Sequence, residues 1–186
     1  MPKGRVSDPA RMEGQMSLYV IQVVGGREQR VCDLVIRQLS GLIADCFVPR
    51  REVMRRREGR WSLVRETLFP GYLFVETSRI QQVMGRLAQV PAFTRLLGVS
   101  DERVVPLSQD ETAWLSALLQ PLEKVVGMST GAIEGNRVVV TDGPLRGHEA
   151  LIRKIDRHKR LAFLDMRMFG RTKTIKVGLE IVRKSP

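Results

Sequence analysis

The sequence predicts an α+β fold in two parts. A sandwich of an antiparallel sheet flanked by helices comes first, and a flexible linker leads to a small five-stranded β-barrel. A chain of 186 residues is near the length at which one domain gives way to two small ones. Residues 18–39 join a β-branched run to a helical apolar period, whereas residues 137–182 hold only short strand-like runs. We expect a disordered tail over 1–16, domains over 17–120 and 134–186, and a linker over 121–133.

Local signals justify the elements of the first part. Val31, Leu34 and Val35 recur at helical spacing. The pair Glu58-Gly59 is a turn signal between two extended arms, and Ser108 with Glu111 forms a capping box. In order, we predict strand 18–24, helix 27–39, strand 46–48, a hairpin with arms 53–57 and 61–67, strand 72–76, a helix from 80, and a helix from 108 to about 120.

The second part shows short strands separated by Gly143-Pro144 and Gly170. The alternation of Val138 and Val140 argues for strands and against a helical, fold-switching tail. The predicted strands are 137–141, 149–155, 161–166, 172–177 and 179–182.

Charge points to polyanionic partners. The chain carries 31 Lys and Arg against 20 Asp and Glu, a net charge of +11, and its pI is near 10.6. Residues 127–186 hold 13 of those cations and 6 of the anions, net +7, which leaves +4 for the rest.

Two basic clusters are candidate nucleic-acid contacts, although a charge run is more often a solvated face. The predicted hairpin carries arginine without lysine, which favours bidentate phosphate contacts. A basic turn between two barrel strands can project into a groove. The hairpin candidates, toward non-template DNA or upstream nucleic acid, are Arg55, Arg56, Arg57 and Arg60; the candidates around the turn are Arg153, Lys154, Arg157, His158, Lys159, Arg160, Arg171 and Lys173.

Catalytic and metal chemistry find no support. Residues 127–131 match G-x-S-x-G, but they lie in the predicted linker without the strand, helix and histidine that a nucleophile needs. Cys32, Cys46, His148 and His158 lack the paired spacings of a zinc site. We expect two reduced thiols, no cofactor, no metal and no enzyme activity. With no secretory signal and no membrane-spanning run, we expect a cytoplasmic, monomeric protein.

The segment LFPGYLFV at 68–75 opens a strand with a rigid aromatic entrance. Pro70 cannot donate to a sheet ladder, and Gly71 allows a backbone geometry that strains other residues. We expect Phe69 and Tyr72 to be partly uncovered, as a shelf for an apolar partner, although most such aromatics belong to a core.

These motifs resemble the NusG family of transcription elongation factors. YVIQV at 19–23, LFPGYLFV at 68–75 and LLGV at 96–99 are similar to its NGN domain, and 135–156 with MFGR at 168–171 are similar to its KOW domain. The segment ALIRKIDRHKRLAFLDM at 150–166 most resembles the LoaP-type specialised antiterminators.

The resemblance implies that the first domain docks on the clamp helices of the largest RNA polymerase subunit, and that the KOW domain reads a nascent RNA hairpin. Pausing and termination would then be suppressed. The implied polymerase contacts are Phe69, Pro70, Gly71, Tyr72 and Phe74. Two alternatives stay open: a general NusG factor whose KOW domain recruits Rho or a ribosomal protein, and a ribosome-associated KOW protein.

Overall fold

A computed structural model describes residues 14–100, 103–135 and 137–185. Most of the predicted tail over 1–16 lies outside the described residues. In chain order the elements are β1 (Ser17–Val23), α1 (Glu28–Gln38), β2 (Asp45–Phe47), β3 (Arg50–Arg57), β4 (Arg60–Thr67), β5 (Tyr72–Thr77), α2 (Ile80–Leu87), β6 (Thr94–Leu96), β7 (Val99–Ser100), β8 (Arg103–Val104), α3 (Gln109–Leu118), β9 (Val125–Val126), β10 (Ser129–Glu134), β11 (Arg137–Asp142), a 3-10 turn (Glu149–Leu151), β12 (Ile152–Asp156), β13 (Leu161–Met168) and β14 (Arg171–Ser185).

The chain divides into two compact units. One comprises Met1–Phe47 and Gly71–Leu107, and the other comprises Val48–Pro70 and Ser108–Pro186. The hairpin β3–β4 and helix α3 are therefore grouped with the C-terminal strands. No helix in the described residues is long and apolar enough to cross a membrane.

The first unit is built on a four-stranded sheet in the order β2-β5-β1-β6. All three pairings are antiparallel, and β7 pairs with β8 separately. Helix α1 buries Val31, Cys32 and Val35, the face that the apolar spacing predicts. The predicted α+β architecture of this part is confirmed, with small shifts at the ends of the elements.

The two cysteines lie in the core of the first unit. Cys32 and Cys46 are free, buried and 3.3 Å apart between their Sγ atoms. The hydrogen bond to Cys32, together with burial, raises the pKa of the Cys46 thiol. The Cys46 thiol is therefore protonated and a poor nucleophile.

In the second unit, β3 pairs with β4 as a hairpin and with β9 in parallel. The hairpin turns at Glu58 and Gly59, whose φ values are both positive (50° and 80°), as a tight two-residue turn requires. Helix α3 begins at the predicted capping box, because Ser108 accepts from the Glu111 N–H and Glu111 accepts from the Ser108 N–H.

The remaining strands form a five-stranded sheet in the order β11-β10-β14-β13-β12, in which β10 and β14 are parallel. The structure differs from the predicted strands at three places, the first being the 3-10 turn Glu149–Leu151 at the start of the predicted strand 149–155. Residues 121–133, predicted as a linker, contain β9 and most of β10. The last two predicted strands form one strand, β14, which Gly178 does not interrupt. A Cβ at position 178 would collide with Met128 and the Glu52 carbonyl, so the glycine permits a close approach of the chain there.

Gly143 permits a close backbone approach at the end of β11. Its φ is +94°, and a Cβ would lie 2.6 Å from both the Met128 carbonyl oxygen and the Ser129 Cα. The Ser129 hydroxyl is fully buried and accepts a hydrogen bond from the Leu145 N–H at 3.2 Å. Ser129 therefore joins β10 to the turn that follows β11, which is a structural role for the serine of the G-x-S-x-G pattern.

We predict that Gly143→Ala lowers the free energy of unfolding by more than about 2 kcal/mol, because it adds a steric clash to backbone strain. The matched control is Gly147→Ala, where φ is +80° but no atom lies within 4 Å of the new Cβ. Strain alone should cost about 1 kcal/mol there. Urea unfolding of both variants measures the difference, and equal losses would contradict the close approach.

Candidate nucleic-acid interface and docking turn

The turn ahead of β5 is held from two sides in the first unit. Gly71 has φ +83°, as its sequence position predicts. Its N–H donates to Glu28 Oε1 at 2.7 Å, and its carbonyl accepts from the Val23 N–H at 2.8 Å. The same Glu28 oxygen accepts from the Gly26 N–H at 3.0 Å. One carboxylate oxygen therefore joins two glycine turns.

Glu28 holds the candidate docking turn at Gly71, a role that the sequence analysis missed. Its side chain is buried, and burial raises the pKa of the carboxyl group. The N–H groups of Gly71, Glu28 and Gly26 outweigh that effect and leave the pKa below the ordinary 4.5. A glutamate in the first turn of an amphipathic helix also occurs as a simple favourable charge, so the sequence held no signal for this role.

The expected exposure of Phe69 in the aromatic shelf is wrong, because Phe69 is 1% exposed. Phe74, an implied polymerase contact outside that shelf, is 0% exposed. Burial of a phenyl side chain is favourable by about 2–3 kcal/mol, and Phe74 lies in the central strand β5, where it stacks on Phe47 with ring centroids 5.8 Å apart. Pro70 is exposed and Tyr72 is half-buried, so these two residues form the accessible part of the turn.

Carboxylates neutralise the arginines at the base of the hairpin. Glu66 accepts from Arg51 at 3.0 Å and from Arg55 at 2.6 and 2.8 Å. The Arg55 hydrogen bond is the main reason that the pKa of Glu66 is lowered, and it raises the pKa of Arg55 in turn. On the other face, Arg65 pairs with Glu52 and with Glu123.

The tip of the hairpin keeps its positive charge exposed. Arg56, Arg57 and Arg60 are all exposed, and Arg56 Nε donates to the Gly59 carbonyl at 3.4 Å. Within the described residues no carboxylate pairs with Arg57 or Arg60. Of the four predicted hairpin contacts, Arg55 is therefore ion-paired and the other three remain accessible.

The predicted basic turn joins β12 to β13 and is exposed. Arg157, His158 and Lys159 are all exposed. Asp156 Oδ1 accepts from the Lys159 N–H at 2.9 Å, which fixes the turn. Arg160, the next residue, is instead half-buried.

Arg160 is engaged within the second unit. It has φ +54° and is half-buried. Its guanidinium lies 4.4 Å from the centroid of the Trp61 ring and 3.0 Å from Glu180 Oε1. These contacts stabilise the turn, so the guanidinium is less available to a ligand than those of its exposed neighbours.

Arg171 and Lys173 lie far from that turn. Arg171 pairs with Met168 and Lys173 pairs with Met166, whereas the turn adjoins Leu161 at the opposite end of β13. A strand of this length spans about 23 Å. The predicted RNA-contacting residues are therefore split between two ends of the sheet.

The outer face of β13 brings Arg153 and Lys154 together with residues that the sequence analysis did not select. Arg153 Nη1 lies 2.7 Å from Asp165 Oδ2, and the Thr174 hydroxyl donates to Asp165 Oδ1 at 2.6 Å. The Thr174 and Arg153 contacts lower the pKa of Asp165. Lys154 is one of two lysines beside Phe163, and strand alternation along β13 could have identified this face.

No group of three potential metal ligands occurs within the described residues. The chain combines an α+β unit that carries a glycine turn with a strand-rich unit that carries exposed cationic turns. Comparisons with known proteins identify its family. A family model described as "Transcription termination factor nusG" matches residues 16–115, and one described as "KOW motif" matches residues 134–165. The chain belongs to the NusG family, whose members are transcription factors and not enzymes.

Relatives match along most of the chain. "Transcription termination/antitermination protein NusG" of Escherichia coli (strain K12) is 24% identical over 172 residues, 90% of this chain and 95% of that protein. The protein of the same name from Yersinia pestis is 25% identical over 171 residues, 89% and 94% of the two chains. The solved structure "Domain interaction in Thermotoga maritima NusG" covers 88% of this chain and 94% of its own, with 20% identity and a TM-score of 0.46.

We predict that Glu28→Gln lowers the free energy of unfolding by about 1–2 kcal/mol at neutral pH, because two N–H groups lose an ionised acceptor. The folded-state pKa of Glu28 is below 4.5, so its contribution is complete above pH 4.5 and is lost as the pH falls through the lower folded-state value. The difference between wild type and variant should therefore shrink in acid.

Urea unfolding across that pH range measures the effect, with Glu134→Gln at an exposed position as the control. A difference that stays constant from neutral pH into acid would contradict the assignment.

Proposed function

We propose that this chain is a specialised antitermination factor of the LoaP type. In this proposal Pro70 and Tyr72 bind the clamp helices of RNA polymerase, and the basic C-terminal unit binds a hairpin in the nascent RNA. The single observation that carries the proposal is the exposed cationic turn Arg157–Lys159, in the part of the chain with the highest positive charge.

The docking half of the proposal rests on preorganisation. The Glu28 hydrogen bonds fix Gly71, so the accessible ring of Pro70 and the half-buried ring of Tyr72 lose little freedom when a partner covers them. Phe69 and Phe74 support the turn from the core instead of contacting the partner. Gly71 contributes through its backbone geometry.

The RNA half rests on charge and accessibility. The exposed side chains of Arg157, His158 and Lys159 project from a fixed turn, with Arg153 and Lys154 on the adjacent strand. A structured RNA presents closely spaced phosphates to such a turn, and its binding releases counterions. Arg171 and Lys173 form a second, separate contact at the other end of the sheet.

The proposed mechanism requires no covalent chemistry. A factor that binds the elongation-competent polymerase more tightly than the paused polymerase shifts the population toward elongation. Binding to RNA raises the local concentration of the factor near the enzyme that is making that RNA. Pausing and termination become less frequent downstream of the leader that encodes the hairpin.

The exposed hairpin arginines Arg56, Arg57 and Arg60 are proposed to contact non-template or upstream DNA. Arg55 takes part less, because its guanidinium is already paired with Glu66.

We predict that this chain increases readthrough in a run-off transcription assay across a terminator only when the leader RNA precedes it. Tyr72→Ala should abolish readthrough by weakening polymerase binding. The double variant Arg157→Ala/Lys159→Ala should lose the leader-dependent readthrough but retain polymerase binding, which gel filtration with purified polymerase measures. Arg171→Ala/Lys173→Ala removes the same charge at the far end and should have the smaller effect.

Readthrough that ignores the leader would contradict the RNA half of the proposal and favour a general factor whose KOW domain recruits a protein. Cosedimentation with ribosomal subunits in place of polymerase would contradict both halves.

We predict that Arg57→Ala/Arg60→Ala weakens binding to duplex DNA and reduces the slope of log K against log salt by up to about 1.8, since each lost phosphate contact contributes about 0.9. Arg55→Ala should reduce the slope by much less, because Glu66 already neutralises that side chain. Fluorescence anisotropy over a salt series measures both. If Arg55→Ala reduced the slope by as much as half of the double variant's reduction, pairing with Glu66 would not limit the contact of Arg55 with DNA.

A further inference from the structure

Phe163 lies on the outer face of β13, the strand next to the edge strand β12 of the five-stranded sheet. Along β13 the side chains of Ala162, Leu164 and Met166 are buried, whereas Phe163 and Asp165 are half-buried and Arg167 is exposed. Strand alternation therefore directs Phe163 away from the core. A phenyl ring on an outer face has no partner layer of the sheet to cover it.

Two flexible lysines from neighbouring strands lie over this ring. Phe163 pairs with Lys154 on β12 and with Lys176 on β14. The Nζ atoms of Lys154 and Lys176 lie 5.7 and 5.6 Å from the ring centroid. Both lysines are exposed, so their ammonium groups can contact solvent and a ligand as well as the ring.

The charge around the ring is unbalanced. Asp165 is the acidic group next to Phe163 on β13, and it is already paired with Arg153 and hydrogen-bonded to Thr174. Lys154 and Lys176 thus add two cations beside an aromatic surface, and no carboxylate pairs with either of them within the described residues. Such a surface complements a ligand that carries both a flat apolar ring and negative charge.

We infer that Phe163, Lys154 and Lys176 form a stacking platform for an unpaired nucleobase of single-stranded RNA, with the lysines on its phosphates. The inference deepens the proposed RNA binding and rests on it. The basic turn leads directly into β13, and Phe163 is two residues, about 7 Å, beyond Leu161, the first residue of that strand. One RNA loop can therefore contact the turn with its backbone and the platform with a base.

The test compares two RNA probes on the full chain by fluorescence anisotropy. One is a single-stranded oligo(A) of roughly 10 nucleotides, and the other is a blunt RNA duplex of similar length without unpaired bases. Phe163→Leu should weaken oligo(A) binding at least about 5-fold, because one base–aromatic stack is worth about 1–3 kcal/mol. Duplex affinity and the salt slope should stay unchanged, because every cation remains.

Two further variants serve as a rescue and a control. Phe163→Tyr keeps an aromatic face and should restore oligo(A) binding. Phe93→Leu removes an aromatic side chain that is 58% exposed in the other unit and should have no effect. Circular dichroism and the thermal midpoint verify that Phe163→Leu is folded.

The possible failures can be told apart. If Phe163→Leu binds oligo(A) like wild type while Arg157→Ala/Lys159→Ala loses affinity, the platform is wrong and the proposed RNA binding stands. If Phe163→Leu weakens both probes equally, the residue supports the fold and the stacking assignment is overturned. If wild type binds neither probe nor the leader RNA, the proposed RNA binding fails and the platform fails with it.

Discussion

The conformation of the turn at Gly71, the candidate docking turn, depends on one carboxylate oxygen of Glu28. Glu28 Oε1 accepts hydrogen bonds from Gly26 and Gly71, and the second of these holds a backbone conformation that only glycine adopts without strain. With Gly71 fixed, the chain enters β5 in one register, in which Phe74 is fully buried and Tyr72 is half-buried. The accessible surface of the turn is therefore set by an interaction in the interior.

Ion pairs also limit how much positive charge the basic surfaces expose. Glu66 neutralises arginines near the base of the hairpin, and Asp165 neutralises Arg153 on the sheet, so positive charge remains exposed mainly at the turns. Exposed ion pairs add little stability, about 0–1 kcal/mol each. Their larger effect is positional, because they orient the long side chains and concentrate the unpaired charge at the tips. A net charge of +11 therefore overstates the number of cations that are ready to bind a polyanion.

Sequence patterns were sufficient where the cause of structure is local. The capping box at Ser108, the turn at Glu58-Gly59 and the helical period of α1 involve residues close in the chain, and the structure confirms all three. The failures have non-local causes. Residues 121–133 have no clear local period, and the structure shows that β10 pairs in parallel with β14, about 50 residues later, as well as with the adjacent β11. Likewise, the burial of Phe69 and the separation of Arg171 from the basic turn depend on tertiary packing and strand register, which no local window contains.

The two kinds of contact proposed for the sheet divide affinity from selection. Cations on the turn attract any phosphate chain, and that attraction weakens as salt rises. Stacking on Phe163 requires a base that is not paired, and it is largely independent of salt. Neither contact alone distinguishes a hairpin from the abundant duplex and unstructured nucleic acid near a transcribing polymerase. Because the turn leads directly into the strand that carries the ring, a ligand must offer a backbone and an unpaired base at a matching spacing to satisfy both. A hairpin loop meets this geometric condition, so a rigid β-sheet suits the task better than a flexible basic tail, which would adapt equally to every polyanion.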